Sequence, residues 1–182
     1  ISNSIVLINH AKVSKKQVLE GWGDSKIQRF ILSSSLDFIS EVSAYFSQLK
    51  SKRQLKSILK GIQIDEVLAQ DILHNQLSSN TFNALRVARQ VTDIVRKTNA
   101  KFIVTTYEGH AWERLVFYYA REINPDIKCL SYQHAAVFKH QHAIKRPLNK
   151  KYNPDVILTS GLIGKDIFKQ GQLQGSKVSC IG

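Results

Sequence analysis

The sequence lacks features that would mark several classes of protein. It contains no methionine and only two cysteines, Cys129 and Cys180. Both cysteines stand in short apolar runs, which is typical of buried core thiols and not of a disulfide framework or a zinc ribbon. No apolar run reaches the roughly 18–20 residues that a membrane-spanning helix needs, and no charged leader precedes the first apolar residues. We therefore expect a cytoplasmic protein without a membrane span or export signal.

Length and composition suit one globular domain. The chain has 182 residues, of which 43% are hydrophobic and 22% charged, enough to bury a core and too apolar for a disordered tail. We predict a single domain over residues 1–182. Because methionine is missing and the chain ends directly after a predicted strand, we also expect this domain to be part of a longer protein.

Acidic residues are few, and the resulting excess of positive charge lies mainly in two segments of the chain. Lysine and arginine number 26 against 14 acids, which gives a net charge of +12 and predicts an anionic partner. Residues 1–60 carry ten cations against four acids, and residues 127–154 carry six against none. The first group includes a basic helix face that is more simply interpreted as solvated than as a binding patch: Lys50, Lys52, Arg53, Lys56 and Lys60. The acid-free second segment is the stronger candidate for binding.

Hydrophobic spacing divides the chain into strands and helices. Short β-branched runs predict strands at 5–8, 29–32, 102–106, 127–132, 156–159 and 178–181. Apolar residues at three- and four-residue steps predict helices at 36–49, 65–74, 79–95, 110–123 and 164–170. In the second half, strands and helices alternate, which favours right-handed crossovers between parallel strands. The predicted fold class is α/β, with a Rossmann-like doubly wound parallel sheet.

Polar and small residues follow three predicted strands, at the edge where open parallel sheets bind ligands. The strand at 102–106 is followed by Tyr107, Glu108, Gly109, His110, Trp112 and Glu113. The next two strands are followed by Gln133, His134, Ser160 and Gly161. These ten residues form the candidate site.

Two of them are candidates for catalysis. Glu108 ends a strand, where a carboxylate can act as a general base or hold a sugar hydroxyl. His134 can face the same cleft if the two strands are neighbours, and it can then relay a proton or donate to phosphate. The sequence leaves two interpretations open for Glu113, a site residue or a helix-capping acid, and two for Trp112, core packing or stacking on a sugar. Tyr107 is expected to wall the cleft.

Motifs for several other chemistries are missing. The sequence has no GxxxxGK[ST] loop, no GxGxxG after a strand and no GxSxG elbow. His140 and His142 have no companion cysteine or acid nearby, so no metal site is predicted.

Three segments follow one another in a characteristic order: TYEGHAWER (106–114), LSYQHAAVFKHQHAIKR (130–146) and YNPDVILTSG (152–161). In this order they resemble bacterial surface-carbohydrate biosynthesis proteins, of the O-antigen and capsule type, with the GT-B glycosyltransferase architecture. The resemblance covers about residues 100–182, and the first hundred residues match no motif of that family.

The resemblance implies an enzyme that transfers a sugar from a nucleotide-sugar to a glycan or lipid-linked glycan acceptor. This chain would be its Rossmann-like, acceptor-side N-terminal domain, inactive without a donor-binding C-terminal domain. Glu108 would be the general base or acceptor ligand, and His134 would serve the donor phosphate or proton transfer. Positive potential for phosphate would come from Lys139, His142 and Arg146. Such enzymes generally need no metal, so no cofactor is expected beside the nucleotide-sugar.

Two other interpretations remain open. A nucleic-acid-binding domain would explain the charge, but no helix-turn-helix, RRM, KH or finger pattern is present, so nucleic acid is not favoured. A noncatalytic scaffold or sugar-nucleotide-binding module is the other alternative. With the glycosyltransferase interpretation we expect a peripheral position on the inner face of a membrane, where the basic segments attract anionic lipid.

Overall fold

The computed structural model describes residues 5–8, 16, 20, 27–137, 142–146, 148–170 and 175–181. The chain divides into two compact units, Ile1–Gln90 and Val91–Gly182. That the chain forms a single domain stays a prediction.

The first unit combines a pair of strands with helices. Strands β1 (Ile5–Ile8) and β2 (Gln28–Ile31) pair in parallel. Helices α1 (Phe38–Lys60) and α2 (Glu66–Asn75) follow, and α3 (Ser79–Thr98) begins in this unit. Asp37 and Asp65 cap α1 and α2, because each carboxylate accepts a backbone N–H of the first turn at 3.0 Å.

Helix α1 extends eleven residues beyond the predicted end at Leu49, since it continues to Lys60 before Gly61. The added segment, KSKRQLKSILK, has little apolar periodicity, but it is rich in strong helix formers and contains no glycine or proline. This segment is helical because its residues have high intrinsic helix propensity, and a search for apolar periodicity does not detect that property.

The second unit is built on a parallel four-stranded sheet. The strands are β3 (Phe102–Thr106), β4 (Lys128–Gln133), β5 (Val156–Thr159) and β6 (Lys177–Cys180), and they lie side by side in chain order. Helix α4 (Ala111–Ile123) connects β3 to β4, and α5 (Leu162–Gln170) connects β5 to β6. Two short 3-10 helices, His142–Lys145 and Lys150–Tyr152, lie between β4 and β5. The α/β class with a parallel sheet is thus confirmed.

The two sides of this sheet differ in burial. Alternate residues of the central strands are buried on one side, among them Cys129, Ser131, Ile157 and Thr159. Helices α4 and α5 contribute the buried side chains Val116, Phe117, Ala120 and Phe168. On the other side, Phe102 and Val104 of the edge strand β3 are 66% and 67% exposed. The helix-covered side therefore forms the core beneath the candidate site.

Among the described residues, no helix has both the length and the apolar character that a membrane crossing requires.

Candidate functional site

Parallel pairing brings the three predicted places to one edge of the sheet. Thr106 pairs with Tyr132, and Gln133 pairs with Thr159, so the carboxyl ends of β3, β4 and β5 are adjacent. Glu108 and His134 each lie two residues beyond the first of these pairs. Ser160 and Gly161 follow β5 at the same edge. This is the part of an open α/β sheet where loops and helix N-termini converge.

Glu113, in the first turn of α4, directs its carboxylate onto the turn that precedes the helix. Its oxygens accept hydrogen bonds from the backbone N–H groups of Glu108 (3.1 and 3.2 Å), Gly109 (2.8 Å) and His110 (2.9 Å). The side chain has no exposed surface. Burial raises the pKa of Glu113 above the usual glutamate value, and the N–H groups and His110 oppose that rise. Glu113 therefore holds the backbone of the turn 108–110.

Two titratable side chains of this turn form an accessible pair. Oε2 of Glu108 lies 3.0 Å from Nε2 of His110, and the two side chains are 38% and 57% exposed. At a pH where the carboxyl is ionised, Nε2–H of His110 donates to it. The pair combines a proton acceptor with a group that fixes its orientation. The sequence singled out Glu108 and His110 separately, and their contact was not anticipated.

Gly109 allows the backbone around residues 143 and 144 to approach this turn. Its φ is +82°, and a Cβ atom there would lie 2.5 Å from the carbonyl carbon of Ala143 and 2.7 Å from the nitrogen of Ile144. The positive φ and the close contact both require glycine. The acid-free segment is thereby held against the end of β3.

Arg114 joins the same two parts of the chain from inside. It is only 4% exposed, and it donates one hydrogen bond to Oδ1 of Asn153 and another, 3.1 Å long, to the carbonyl of Ala143. Its guanidinium carbon lies 5.0 Å from the ring centre of Tyr107. Burial lowers the pKa of Arg114, Tyr107 and Glu113 oppose that shift, and the charge of Arg146 adds to it.

Several candidate residues lie beneath the surface of the site. Tyr107 has no exposed surface, and burial raises its pKa to about 12. Gln133 is 4% exposed, and its side-chain amide donates to the carbonyl of Ala135. With Glu113, these side chains support the edge from below, so the expectation that Tyr107 walls an open cleft does not match its position. Trp112 is half-buried.

The exposed members are those that solvent and a ligand can reach. His134 is exposed, and the centre of its ring lies 6.2 Å from that of Tyr132. Arg146 and Ser160 are exposed as well. Gly161 has open space around it, with nothing within 4 Å of a Cβ position. Together with Glu108 and His110, these residues form the accessible part of the candidate site.

Two of the predicted site residues have side chains that the structure does not describe. Lys139 is outside the described residues, and so is the side chain of His142. Within the described ranges, no three histidine, cysteine or acidic side chains form a group that could hold a metal ion.

Arg114 and Asn153 support the site and were missed from the sequence. A charged residue near a helix start can face solvent or pair locally, so no pattern in the sequence marks Arg114 as buried. A signal did exist for Glu113, because it stands three and four residues before Val116 and Phe117, which belong to the buried stripe of α4. The register of that stripe could have predicted a buried carboxylate there.

Comparison of the chain with protein-family models, with curated proteins and with solved structures found no match. The functional interpretation therefore depends on the site residues and on the order of the motifs.

Proposed function

We propose that this chain is the acceptor-side, Rossmann-like domain of a glycosyltransferase with GT-B architecture. In this proposal the enzyme transfers a sugar from a nucleotide-sugar to a surface-polysaccharide acceptor. The observation that carries the proposal is the accessible Glu108–His110 pair at the carboxyl edge of a parallel sheet. The order of the three motifs along the chain gives further support, because each motif follows or contains one strand of that edge.

Four of the accessible residues receive a role in this reaction. The oxygen of an acceptor hydroxyl forms a bond with the anomeric carbon of the donor, and the bond from that carbon to the phosphate oxygen breaks. Glu108 accepts the hydroxyl proton or orients the hydroxyl, and His110 keeps the Glu108 carboxylate in position. His134 and Arg146 face the negative charge that develops on the leaving phosphate. Glu113 acts beneath them by fixing the turn.

A transfer assay with the protein as its gene encodes it tests these roles. The probes are radiolabelled UDP-, GDP- and CMP-linked sugars, offered with lipid-linked glycans extracted from bacterial membranes. We expect Glu108→Gln to lower kcat by roughly 100- to 10,000-fold, as is usual for the loss of a general base. His134→Ala should lower kcat/KM by roughly 10- to 100-fold, which corresponds to a charge-assisted hydrogen bond.

The matched control is Glu122→Gln, near the end of the helix that follows the turn 108–110. Glu122 is exposed and pairs with Lys151 at 2.7 Å, away from the turn 108–110, so its loss should leave transfer unchanged. Full transfer by both Glu108→Gln and His134→Ala would contradict the assigned roles. Absence of transfer from every donor, together with salt-sensitive binding of RNA or DNA, would favour the nucleic-acid alternative.

A further inference from the structure

One side of helix α1 is exposed along most of its length, with Leu49 half-buried near its middle. Positions 38, 42, 45, 49, 53, 56 and 60 follow one another at three- and four-residue steps, so they lie along one side of the helix. The opposite side is anchored, because Ala44 is buried there. Glu41 lies at the edge of the exposed side, where Arg86 of α3 makes two hydrogen bonds to its carboxylate, of 2.7 and 3.1 Å. We call the solvent-facing side, from Phe38 to Lys60, the α1 front face.

The first half of the α1 front face and its flanks are apolar and exposed. The exposed fractions are 82% for Phe38, 79% for Ile39, 37% for Val42, 48% for Tyr45 and 64% for Phe46. Single exposed apolar residues are ordinary, but five within nine residues of one helix form a patch. A groove of about 400 Å³ opens beside the patch, lined by Glu41, Val42, Tyr45, Phe46, Phe82 and Arg86.

The second half of the same face is basic. Arg53, Lys56 and Lys60 continue the line of the apolar residues and are exposed, and Lys50 is exposed beside them. The only acid of α1 is Glu41, which is already paired with Arg86. A helix of 23 residues is about 35 Å long, so an apolar end and a cationic end lie in line over that length.

We infer that the α1 front face docks on the surface of an anionic lipid bilayer. Phe38, Ile39 and Phe46 enter the boundary between headgroups and acyl chains, and the basic half pairs with lipid phosphates. The inference deepens the proposed function, and its choice of a membrane rests on that function, because a lipid-linked acceptor lies in a bilayer.

A second copy of the chain fits this face less well. Two parallel α1 helices paired along their length would bring basic half against basic half, and two antiparallel ones would bring basic half against apolar half. An anionic bilayer surface accepts both halves, because the apolar half can enter the boundary with the acyl chains while the basic half stays at the level of the phosphates directly above them. The positive charge of the second half therefore favours an anionic lipid surface over a second copy of the chain.

Co-sedimentation with vesicles tests the inference without any sugar substrate. The vesicles contain either phosphatidylcholine alone or phosphatidylcholine and phosphatidylglycerol in equal amounts. We expect binding to the anionic vesicles and little binding to the neutral ones. Each cation near an anionic surface strengthens binding about fivefold, so the charge variant R53Q/K56Q/K60Q should bind about a hundredfold more weakly. The apolar variant F38S/I39S/F46S should bind roughly tenfold more weakly or worse.

Two control variants make changes of the same kind elsewhere in the chain. K101Q/K128Q/K177Q removes three exposed cations of the second unit, and V67S/L68S removes two exposed apolar side chains of α2. Both should keep binding within about threefold of wild type, apart from the general effect of net charge. All substitutions are at exposed positions, so circular dichroism should show unchanged helix content.

Three results would overturn the inference. One is wild-type protein that sediments with neither kind of vesicle, and another is a control variant that loses as much binding as its α1 counterpart. The third is a wild-type dimer that the apolar variant converts to monomer while vesicle binding stays unchanged, because the face would then pair with a second copy. None of these bears on sugar transfer, so the docking surface and the glycosyltransferase proposal can fail separately.

Discussion

Glu113→Gln tests whether one buried carboxylate organises the candidate site. Glutamine keeps the size of the side chain and one acceptor oxygen. If that oxygen takes the place of Oε2, it keeps the bonds from the N–H groups of Gly109 and His110. The amide nitrogen then replaces Oε1, which now accepts from the N–H of Glu108 at 3.1 Å, so two donors face each other.

The size of the effect follows from that exchange. The N–H of Glu108 keeps only its longer, 3.2 Å bond to Oε2 and faces another donor, which costs about 1–3 kcal/mol in the free energy of unfolding. In a domain of this size, each kcal/mol lowers Tm by about 2–4 °C. Glu113→Ala would remove the acceptor for all three N–H groups. Since the total free energy of unfolding of a domain is only about 5–15 kcal/mol, that variant could unfold, and glutamine is the more informative replacement.

The stability difference between wild type and Glu113→Gln should depend on pH in a defined direction. Burial raises the pKa of Glu113, so the folded protein holds this proton more tightly than the unfolded chain. Its free energy of unfolding therefore falls as the pH rises from the usual glutamate pKa through the raised one. Glutamine has no proton to lose. The loss caused by Glu113→Gln should be largest at acidic pH and should narrow as the pH rises.

Urea unfolding of wild type and variant over a range of pH measures the loss. Amide hydrogen exchange of Glu108 reports the disturbed bond locally and should accelerate in the variant by roughly tenfold or more, while Gly109 and His110, whose acceptor is kept, should change less. Glu122→Gln is the control, because it removes an exposed carboxylate from the same helix. Equal stability of Glu113→Gln and wild type at every pH, with unchanged amide exchange, would refute the positioning role of Glu113.

Three further outcomes are expected. Gly109→Ala places a side chain at a positive φ and against Ala143, so it should lower the free energy of unfolding, measured in urea, by about 2–5 kcal/mol. Gly161→Ala is the control, because a Cβ atom there lies in open space, and it should leave the free energy of unfolding unchanged. The hydroxyl of Tyr107 is buried without a hydrogen-bond partner among the described residues, so Tyr107→Phe should keep stability or raise it by up to about 1–3 kcal/mol; a clear loss on thermal unfolding would reveal a partner. Burial raises the pKa of Cys129 to about 11, so its thiol should not react with a thiol reagent at mildly alkaline pH until urea unfolds the protein.

The second unit was predictable from the sequence because its signals are local. The strands at 102–106 and 156–159 have the predicted bounds, since runs of β-branched residues end at turn residues. Helix α5 begins at Leu162, two residues before the predicted start at Gly164. The prediction started too late because Leu162 and Ile163 are 66% and 80% exposed and do not follow a core-facing pattern. The sequence predicted parallel strands but left open whether β3 and β4 are neighbours, and the structure shows β3, β4 and β5 side by side.

The contacts within the site were less predictable because they depend on burial across long separations. Asn153 and Arg114 are 39 residues apart, and no local pattern pairs them. A charged residue is usually exposed, so the sequence gives no reason to expect Arg114 in the interior. The exposure of the apolar half of α1 was equally hidden, because Phe38 and Phe46 look like core residues in any spacing argument. In these places the structure supplied what periodicity could not.

The hydrogen bonds of Glu113 also limit how the candidate site can recognise phosphate. A strand-to-helix turn at the carboxyl edge ordinarily offers free N–H groups to a substrate anion. Here the N–H groups of Glu108, Gly109 and His110 already donate to the protein's own carboxylate. An anion at this turn would have to displace a buried carboxylate from these N–H groups. In the proposed reaction, recognition of the donor phosphate therefore shifts from this helix terminus to side chains such as His134 and Arg146, which are exposed at or beside the same edge.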